Sequence, residues 1–388
     1  MSHAILSPSS AHRWLTCTPS ARDEQKYPDR GSDAAAEGTT AHRLAELRLA
    51  QALVLNQNEQ HLLQSELDEI RSDRWYTPAM EEHIDEYVTF VTERYNSMTN
   101  PTILLEQKID LTTWVPEGFG TGDVLLIGDG QAELIDLKYG KGVRVEAERN
   151  KQLKLYGLGA VTDLAFLYDV YQIRLTIYQP RIGNFSSWEI SLPELQAWAK
   201  DELIPKAKLA WEGKGDYVPG DHCKFCKAAA VCKANAERHL SLAKYEFAPS
   251  NELEPEEISD IIARGDAFKA WIKAVEDYAL DQALNHGVTW PGFKLVEGRS
   301  VRKYLDETLV AAKLLTAGAL NTTQIYKEPE LRGIGEIEKV LGKKRFAEVL
   351  DGLVVKPQGK PTLVEESDKR PAWHSNQEAA KDFTTEND

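Results

Sequence analysis

Two aspartates and one lysine suggest the chemistry of this chain. Asp123 and Asp136 lie near the ends of two short aliphatic runs, and Lys138 follows Asp136 after a single residue. If the two runs pair as neighbouring strands, both carboxylates reach one edge of the sheet, where their oxygens suit a hard cation such as Mg²⁺ or Mn²⁺. Because side chains alternate along a strand, Asp136 and Lys138 face the same way. An ammonium group there offsets charge on a scissile phosphate, so the pattern indicates metal-dependent phosphodiester hydrolysis.

Further polar positions are candidates for the same site. His42 and Glu46 share one face of a predicted helix, so His42 could add an imidazole nitrogen to the metal. The alternative for His42 is a partly buried helix histidine beside a carboxylate. Gln152 and Tyr156 repeat this spacing, and core packing explains Tyr156 well but Gln152 poorly. Glu106, on the first predicted strand, is either an additional ligand or a strand-edge charge, and we favour the strand-edge interpretation.

The four cysteines are spaced in a way that is typical of metal binding. Cys223, Cys226 and Cys232 form a C-x2-C-x5-C triplet, and Cys17 lies far upstream. In a reducing compartment, clustered thiols indicate metal or redox chemistry rather than disulfides. Four thiolates could hold either an iron–sulfur cluster or a structural Zn²⁺, and the residues alone leave both open. A redox protein that uses the cluster for electron transfer is a weaker alternative.

The charge distribution argues against a protein coated in basic surface. The formal net charge is −15, yet residues 138–154 carry six basic side chains against two acidic ones. This stretch directly follows the Asp-x-Lys pattern, which makes a surface that tracks a DNA backbone as plausible as an ordinary solvated helix face. The candidate DNA contacts in it are Lys141, Arg144, Arg149 and Lys151.

The pattern of apolar residues predicts a mixed α/β core. A helix is expected from about residue 38 into the fifties, and Thr77-Pro78 opens another. Asp129-Gly130 separates two strands as a tight hairpin. Residues 20–37 are polar and are expected to form a mobile loop. The predicted strands cover 102–109, 122–127, 132–138, 170–178 and 185–190, with a helix over 147–161.

The chain divides by composition into three predicted parts. Residues 1–245 form the α/β core, residues 246–367 a mostly helical region, and residues 368–388 a polar tail without fixed structure. An acidic amphipathic helix or helix pair is expected over 252–286. We find no apolar run long enough for a bilayer and no signal-peptide pattern. We therefore expect a cytoplasmic protein with no membrane partner.

These motifs resemble, in order and spacing, the RecB-like branch of the PD-(D/E)XK nuclease superfamily. The matching segments are 38–42 (GTTAH), 122–123 (GD), 136–138 (DLK) and 152–156 (QLKLY). The resemblance implies a restriction-endonuclease-like mixed sheet flanked by helices. It also implies that His42, Asp123, Asp136 and the Leu137 carbonyl bind Mg²⁺ or Mn²⁺. By the same resemblance, Lys138 is catalytic, and Gln152 and Tyr156 form the motif that follows the strands.

The cysteine pattern resembles the iron–sulfur staple of AddB-type nucleases and CRISPR-associated exonucleases. That resemblance implies a structural [4Fe–4S] cluster on Cys17, Cys223, Cys226 and Cys232. Segments 136–142 and 290–300 further resemble a phage- and prophage-encoded RecB-like family that is usually labelled a domain of unknown function. The expected activity is that of a DNA exonuclease or end-processing enzyme in phage recombination or replication, with a phage single-strand-annealing or single-strand-binding protein as a candidate partner. The alternative is a non-catalytic DNA-binding or partner-recruiting module.

Overall fold

A mixed five-stranded sheet organises the molecule. The computed structural model describes residues 4–29, 31–55, 59, 63–242, 253–296, 306–316 and 332–355. The strands are β1 (Thr102–Asp110), β2 (Phe119–Gly128), β3 (Gln131–Leu137), β4 (Gln172–Gln179) and β5 (Asn184–Ser191). They lie side by side in chain order; β3 and β4 are parallel, and the other neighbours are antiparallel. The predicted mixed α/β class is confirmed.

Helices surround this sheet. The α-helices before β4 are α1 (Ala11–Trp14), α2 (Ser20–Asp23), α3 (Asp33–Leu49), α4 (Gln64–Ser72), α5 (Pro78–Asn96) and α6 (Lys151–Tyr168). Those after β5 are α7 (Leu192–Trp198), α8 (Ile204–Glu212), α9 (Lys233–Leu240), α10 (Pro255–Asn285), α11 (Glu307–Thr316), α12 (Ile334–Leu341) and α13 (Lys343–Val349). The order α5, β1, β2, β3, α6, β4 supplies the helix-flanked sheet that the resemblance implies.

Side-chain caps set where the site-bearing helices begin. The Thr77 side chain accepts a hydrogen bond from the Met80 N–H, and Pro78 takes the first helical position, as the sequence predicts. Asn150 accepts hydrogen bonds from the N–H groups of Gln152 and Leu153, which places Gln152 in the first turn of α6. Helix α6 thus begins four residues later than predicted and ends at Tyr168 instead of residue 161. It forms the crossover connection between the parallel strands β3 and β4.

The predicted loop over 20–37 is wrong. Residues 20–26 are helical, and α3 begins at Asp33 rather than near residue 38, because the Ser32 hydroxyl accepts a hydrogen bond from the Ala35 N–H at 3.1 Å. Arg13 and Glu24 form a buried ion pair, and Glu24 also accepts a hydrogen bond from the Lys227 N–H. The segment is ordered by partners that lie far away in the sequence, which local composition does not reveal.

Two apolar clusters bury the two faces of the sheet. One face packs against α6 and the N-terminal helices, with Trp14, Leu134, Leu155 and Leu175 among its buried members. The other face packs against α3 and α5, with Leu44, Ile84, Val124 and Leu137 among its buried members. The hairpin between β2 and β3 turns at Asp129 and Gly130, both with positive φ, as their sequence predicts.

The C-terminal part is helical where the structure describes it. Residues 255–285 form the single helix α10, and α12 packs against α5 of the core. The three-part division at 245 and 367 stays a prediction, and the polar tail over 368–388 lies outside the described residues. No helix in the described ranges combines the length and the apolar composition that a bilayer span requires.

The close approach of α6 to β1 generates a stability prediction. A Cβ at Gly159 would lie 2.9 Å from the backbone oxygen of Asp110 and would collide with Ile109, whereas a Cβ at Gly38 in α3 has no described atom within 4 Å. We expect Gly159→Ala to destabilise the fold by about 1–3 kcal/mol through overpacking. Gly38→Ala should instead stabilise it by about 0.5–1 kcal/mol, because alanine costs less chain entropy in a helix. Urea unfolding of both variants measures this; equal effects would contradict the packing argument.

Candidate active site

The hairpin register brings Asp123 and Asp136 together. Val124 pairs with Ile135 across β2 and β3, and Asp123 and Asp136 are the next residues of the two strands beyond that pair. The Leu137 N–H donates a hydrogen bond to Asp123 Oδ2 at 2.7 Å. Both carboxylates are therefore fixed by the backbone of the sheet rather than by a flexible loop.

Three potential metal ligands meet beside this pair. One ligand atom each from His42, Glu106 and Asp123 lies within 4.8 Å of the others, and His42 Nδ1 is 3.3 Å from Asp123 Oδ1. The strand-edge interpretation of Glu106 does not describe its position, since its carboxylate belongs to this group. Two carboxylates and an imidazole suit a divalent cation such as Mg²⁺ or Mn²⁺.

An unusual backbone conformation places the Glu106 side chain next to His42 and Asp123. Its neighbours Leu105 and Gln107 pair normally with β2, but Glu106 itself has a φ of 45°. A non-glycine residue in this left-handed region costs about 1–3 kcal/mol and persists where surrounding structure enforces it. The sequence could indicate that Glu106 lies near Asp123 only through the pairing of β1 with β2, and that pairing must first be known.

A small cavity adjoins these ligands. It encloses about 10 Å³ and is lined by the three ligand side chains together with Glu46, Tyr87 and Leu137, among others. This volume corresponds to about one water-sized sphere, so it has room for a single ion and not for a substrate. The donor chemistry and the size of the cavity fit one divalent cation.

The second aspartate is held by the lysine and the glutamine. Lys138 Nζ donates to Asp136 Oδ1 at 3.1 Å and to Gln152 Oε1 at 3.3 Å, while Gln152 Nε2 also donates to Asp136 Oδ1. The other oxygen, Oδ2, is buried without a hydrogen-bond partner among the described residues, although it lies 2.9 Å from the ammonium. Asp136 therefore retains a lone-pair position that a cation could fill. Tyr156 is buried one turn beyond Gln152, and burial raises the pKa of its hydroxyl.

The titratable groups of the site shift each other's pKa values. Burial alone would lower the pKa of His42, but Asp123 outweighs it and raises that pKa to about 9. Burial raises the pKa of Asp136, and burial followed by the Asp123 charge raises the pKa of Glu106 to about 7. Lys138 stays charged, because Asp136 and Asp123 raise its pKa against the effect of burial. Without a cation the carboxylates are incompletely compensated, and metal binding must displace the proton of His42.

The four cysteines form a second neighbourhood. Cys17 is buried just after α1, Cys223 lies within a short 3₁₀ turn (Asp221–Phe225), Cys226 directly follows that turn, and Cys232 precedes α9. The turn contacts α1. Burial raises the pKa of Cys17, and the charges of Cys223 and Cys232 raise it further. Burial also raises the pKa of Cys226 to about 12.

Hydrogen bonds tie the two cysteine-bearing segments together independently of the thiols. Thr18 Oγ1 donates to the Lys214 carbonyl, and Arg22 Nε donates to the Trp211 carbonyl, both at 2.6 Å. The Tyr217 hydroxyl donates to Asp23 Oδ2. The two ends of the predicted core are thus in direct contact.

The basic stretch does not form one continuous surface. Lys141 and Arg144 are exposed, and Arg149 is 83% exposed beside Glu148. Lys151 points towards the N-terminal segment and donates to Thr16 Oγ1 at 3.1 Å. Lys154, which belongs to the same run, is buried with its ammonium 3.7 Å from the centroid of the Trp198 ring.

The comparisons with known proteins identify the family. The chain belongs to the family described as "Protein of unknown function (DUF2800)", whose model matches residues 3–371. Among solved structures, the chain is similar to the alkaline exonuclease LHK-Exo from Laribacter hongkongensis, with 18% identity and a TM-score of 0.22 over 46% of this chain and 94% of that one. The complex of LHK-Exo with dAMP has 19% identity and a TM-score of 0.23, over 46% of this chain and 94% of that one. SSO0001 has 16% identity and a TM-score of 0.24, over 50% of this chain and 95% of that one. At such TM-scores, the side chains of this chain must carry the functional argument.

The position of Glu106 leads to a metal-binding prediction. We expect Mn²⁺ to raise the melting temperature of the wild-type protein, since a ligand at 100 times its Kd adds about 2.7 kcal/mol of stability. Glu106→Gln should lose most of that shift yet melt no lower than the wild type without metal, because it removes a buried carboxylate next to Asp123. Glu148→Gln, an exposed control, should keep the full shift. A Glu106→Gln variant with an undiminished Mn²⁺ shift would show that Glu106 does not bind the metal.

Proposed function

We propose that this chain is a metal-dependent deoxyribonuclease, an exonuclease or end-processing enzyme that acts in phage recombination or replication. One observation carries the proposal: a compact group of His42, Glu106 and Asp123 adjoins a buried ion pair of Asp136 and Lys138. A divalent cation bound by this group, with Asp136 and the Leu137 carbonyl as the further ligands, would polarise the attacking water and neutralise phosphate charge.

The side chains of Lys138, Gln152 and Tyr156 have the remaining roles in the reaction. The Lys138 ammonium orients the water and offsets the charge that develops as it attacks the phosphorus and the bond to the 3′ oxygen breaks. The products are a 5′-phosphate and a 3′-hydroxyl. Gln152 holds both Lys138 and Asp136 by hydrogen bonds, so it positions the pair. Tyr156 remains protonated and helps order the site.

The nuclease proposal predicts the effect of removing the ammonium. Lys138→Met should lower Mn²⁺-dependent degradation of end-labelled linear DNA by at least about 100-fold, because the developing charge loses its partner. The Mn²⁺-induced rise in melting temperature should persist, since Lys138 is not a ligand. Lys208→Met, an exposed lysine on α8, is the control and should degrade DNA like the wild type.

The same assay separates the enzyme from its main rival. A non-catalytic module that binds DNA or recruits a recombination partner would shift labelled DNA in a gel but leave it intact with Mg²⁺ or Mn²⁺. Wild-type protein that binds DNA without degrading it, or a fully active Lys138→Met variant, would contradict the assignment. A single-strand-annealing or single-strand-binding protein of the phage is the partner that we propose for the recombination role.

We further propose that the four cysteines hold a structural [4Fe–4S] cluster, with Zn²⁺ as the alternative. The raised pKa values of Cys17, Cys223 and Cys226 support this, because such thiols become thiolates readily only when a metal binds them. A cluster would lock the contact between the N-terminal segment and the turn before α9. It would not take part in the hydrolysis.

The cluster proposal predicts a joint loss of metal and stability. Protein purified without oxygen should be brown and contain iron and sulfide, and Cys17→Ser should lose both together with several kcal/mol of stability. Thr18→Ala, which removes a neighbouring hydrogen bond and no thiol, should keep the iron. Zinc in place of iron would select the alternative, and a quadruple Cys→Ser variant that is folded and fully active would refute a structural role.

A further inference from the structure

The C-terminal helical pair α12–α13 docks directly on the nuclease-like core. The Lys343 N–H donates to Glu82 Oε2 on α5 at 2.8 Å, and α12 packs along the same helix. The turn between α12 and α13 is Gly342, which is buried and has a φ of 77°. A Cβ at this position would collide with the Glu82 carboxylate, so the contact requires glycine.

Docking brings the cations of this pair to those of the core. The charge of Arg181, burial and the charge of Lys339 lower the pKa of Lys141, against the opposing charges of Glu37 and Glu338. The buried side chain of His83, the residue after Glu82, is affected by the same cations: burial and the charges of Lys343, Arg181 and Lys141 together lower its pKa to about 4. Cations from the loop after β3, the turn after β4 and both C-terminal helices therefore converge.

One member of this group is rigid and joins it to the active site. The Arg181 guanidinium lies 4.7 Å from the centroid of the Tyr139 ring and pairs with Glu37 at 2.6 Å. Tyr139 directly follows Lys138, and its hydroxyl lies 3.4 Å from His83 Nδ1. Since three residues span at most about 11 Å, the backbone of Lys141 is within that distance of Lys138. That reach matches the next phosphates along a strand whose scissile phosphate lies at Lys138.

Carboxylates offset the charges of this cluster only in part: Glu37 and Glu338 act on Lys141 but do not outweigh Arg181, burial and Lys339, so the pKa of Lys141 stays lowered. Among the described residues, neither Lys141, Lys339 nor Lys343 forms an ion pair, and Glu82 is engaged with a backbone N–H. Like charges gathered in this way repel each other, and a bound polyanion would relieve that repulsion.

We propose that Lys141, Lys339 and Lys343, which lie beside the buried ion pair of Arg181 and Glu37, form a binding site for the DNA backbone next to the cleavage site, and that the C-terminal pair α12–α13 is a part of the DNA-binding surface. This inference rests on the proposed nuclease function for the identity of the polyanion. The site gives a role to the C-terminal region, whose Lys339 and Lys343 complete a surface begun by the core.

The test measures DNA affinity without cleavage. Fluorescence anisotropy with a labelled single-stranded oligonucleotide in EDTA gives the Kd at several salt concentrations. For the double variant Lys339→Gln, Lys343→Gln we expect about tenfold weaker binding and a salt slope reduced by about 1–2, because two phosphate contacts disappear. The matched control is Lys269→Gln, Lys273→Gln on α10, where both lysines pair with aspartates, and it should bind like the wild type.

A second variant tests the docking without removing charge. Gly342→Ala should displace α12–α13 from Glu82 and weaken DNA binding in the same direction, although every lysine is retained. Wild-type affinity and salt slope in the double variant would overturn the inference, and wild-type affinity in Gly342→Ala would overturn the role of docking. Wild-type protein that binds DNA through these lysines but never cleaves it would instead contradict the nuclease function alone.

Discussion

The pair of the half-buried Asp123 and the buried Asp136 is the constraint on which the rest of the structure depends. Neighbouring carboxylates that leave water repel each other and lose hydration, at a cost of several kcal/mol per ion unless charges and hydrogen bonds compensate. The Leu137 N–H, the His42 imidazole and the Lys138 ammonium provide that compensation. Helix α3 must therefore lie where its histidine reaches the sheet, and α6 must begin where its first turn reaches the lysine.

This compensation is incomplete, which is what a metal centre requires. Glu106 adds a third carboxylate, and its pKa of about 7 and its left-handed backbone show that the fold opposes its charge and its conformation. Burial also raises the pKa of Asp136. A divalent cation would relieve both effects at once, so the strain of the metal-free site becomes affinity for the metal.

The sequence predicts those features that local chemistry decides. The hairpin at Asp129 and Gly130 and the helix start at Thr77 follow from turn and cap preferences, and the positions of the five strands along the chain follow from short aliphatic runs. The helical segment over 20–26 was missed because its stability comes from contacts with residues 211–227. The place of Glu106 among the potential metal ligands is not predictable from the sequence, because it depends on a backbone conformation that no residue pattern encodes.

Counting charges along the chain does not predict the basic surface either, because the surface depends on how distant segments pack together. Residues 138–154 are one basic run in the sequence, but the fold turns Lys154 onto Trp198 and Lys151 towards Thr16. The cations that do converge near the active site come from four separate segments. An acidic protein repels DNA at long range, so attraction must come from such a local group within about one Debye length, roughly 8–10 Å. Binding to this surface should therefore be short-ranged and sensitive to salt, with the strand positioned chiefly by the cations nearest Lys138.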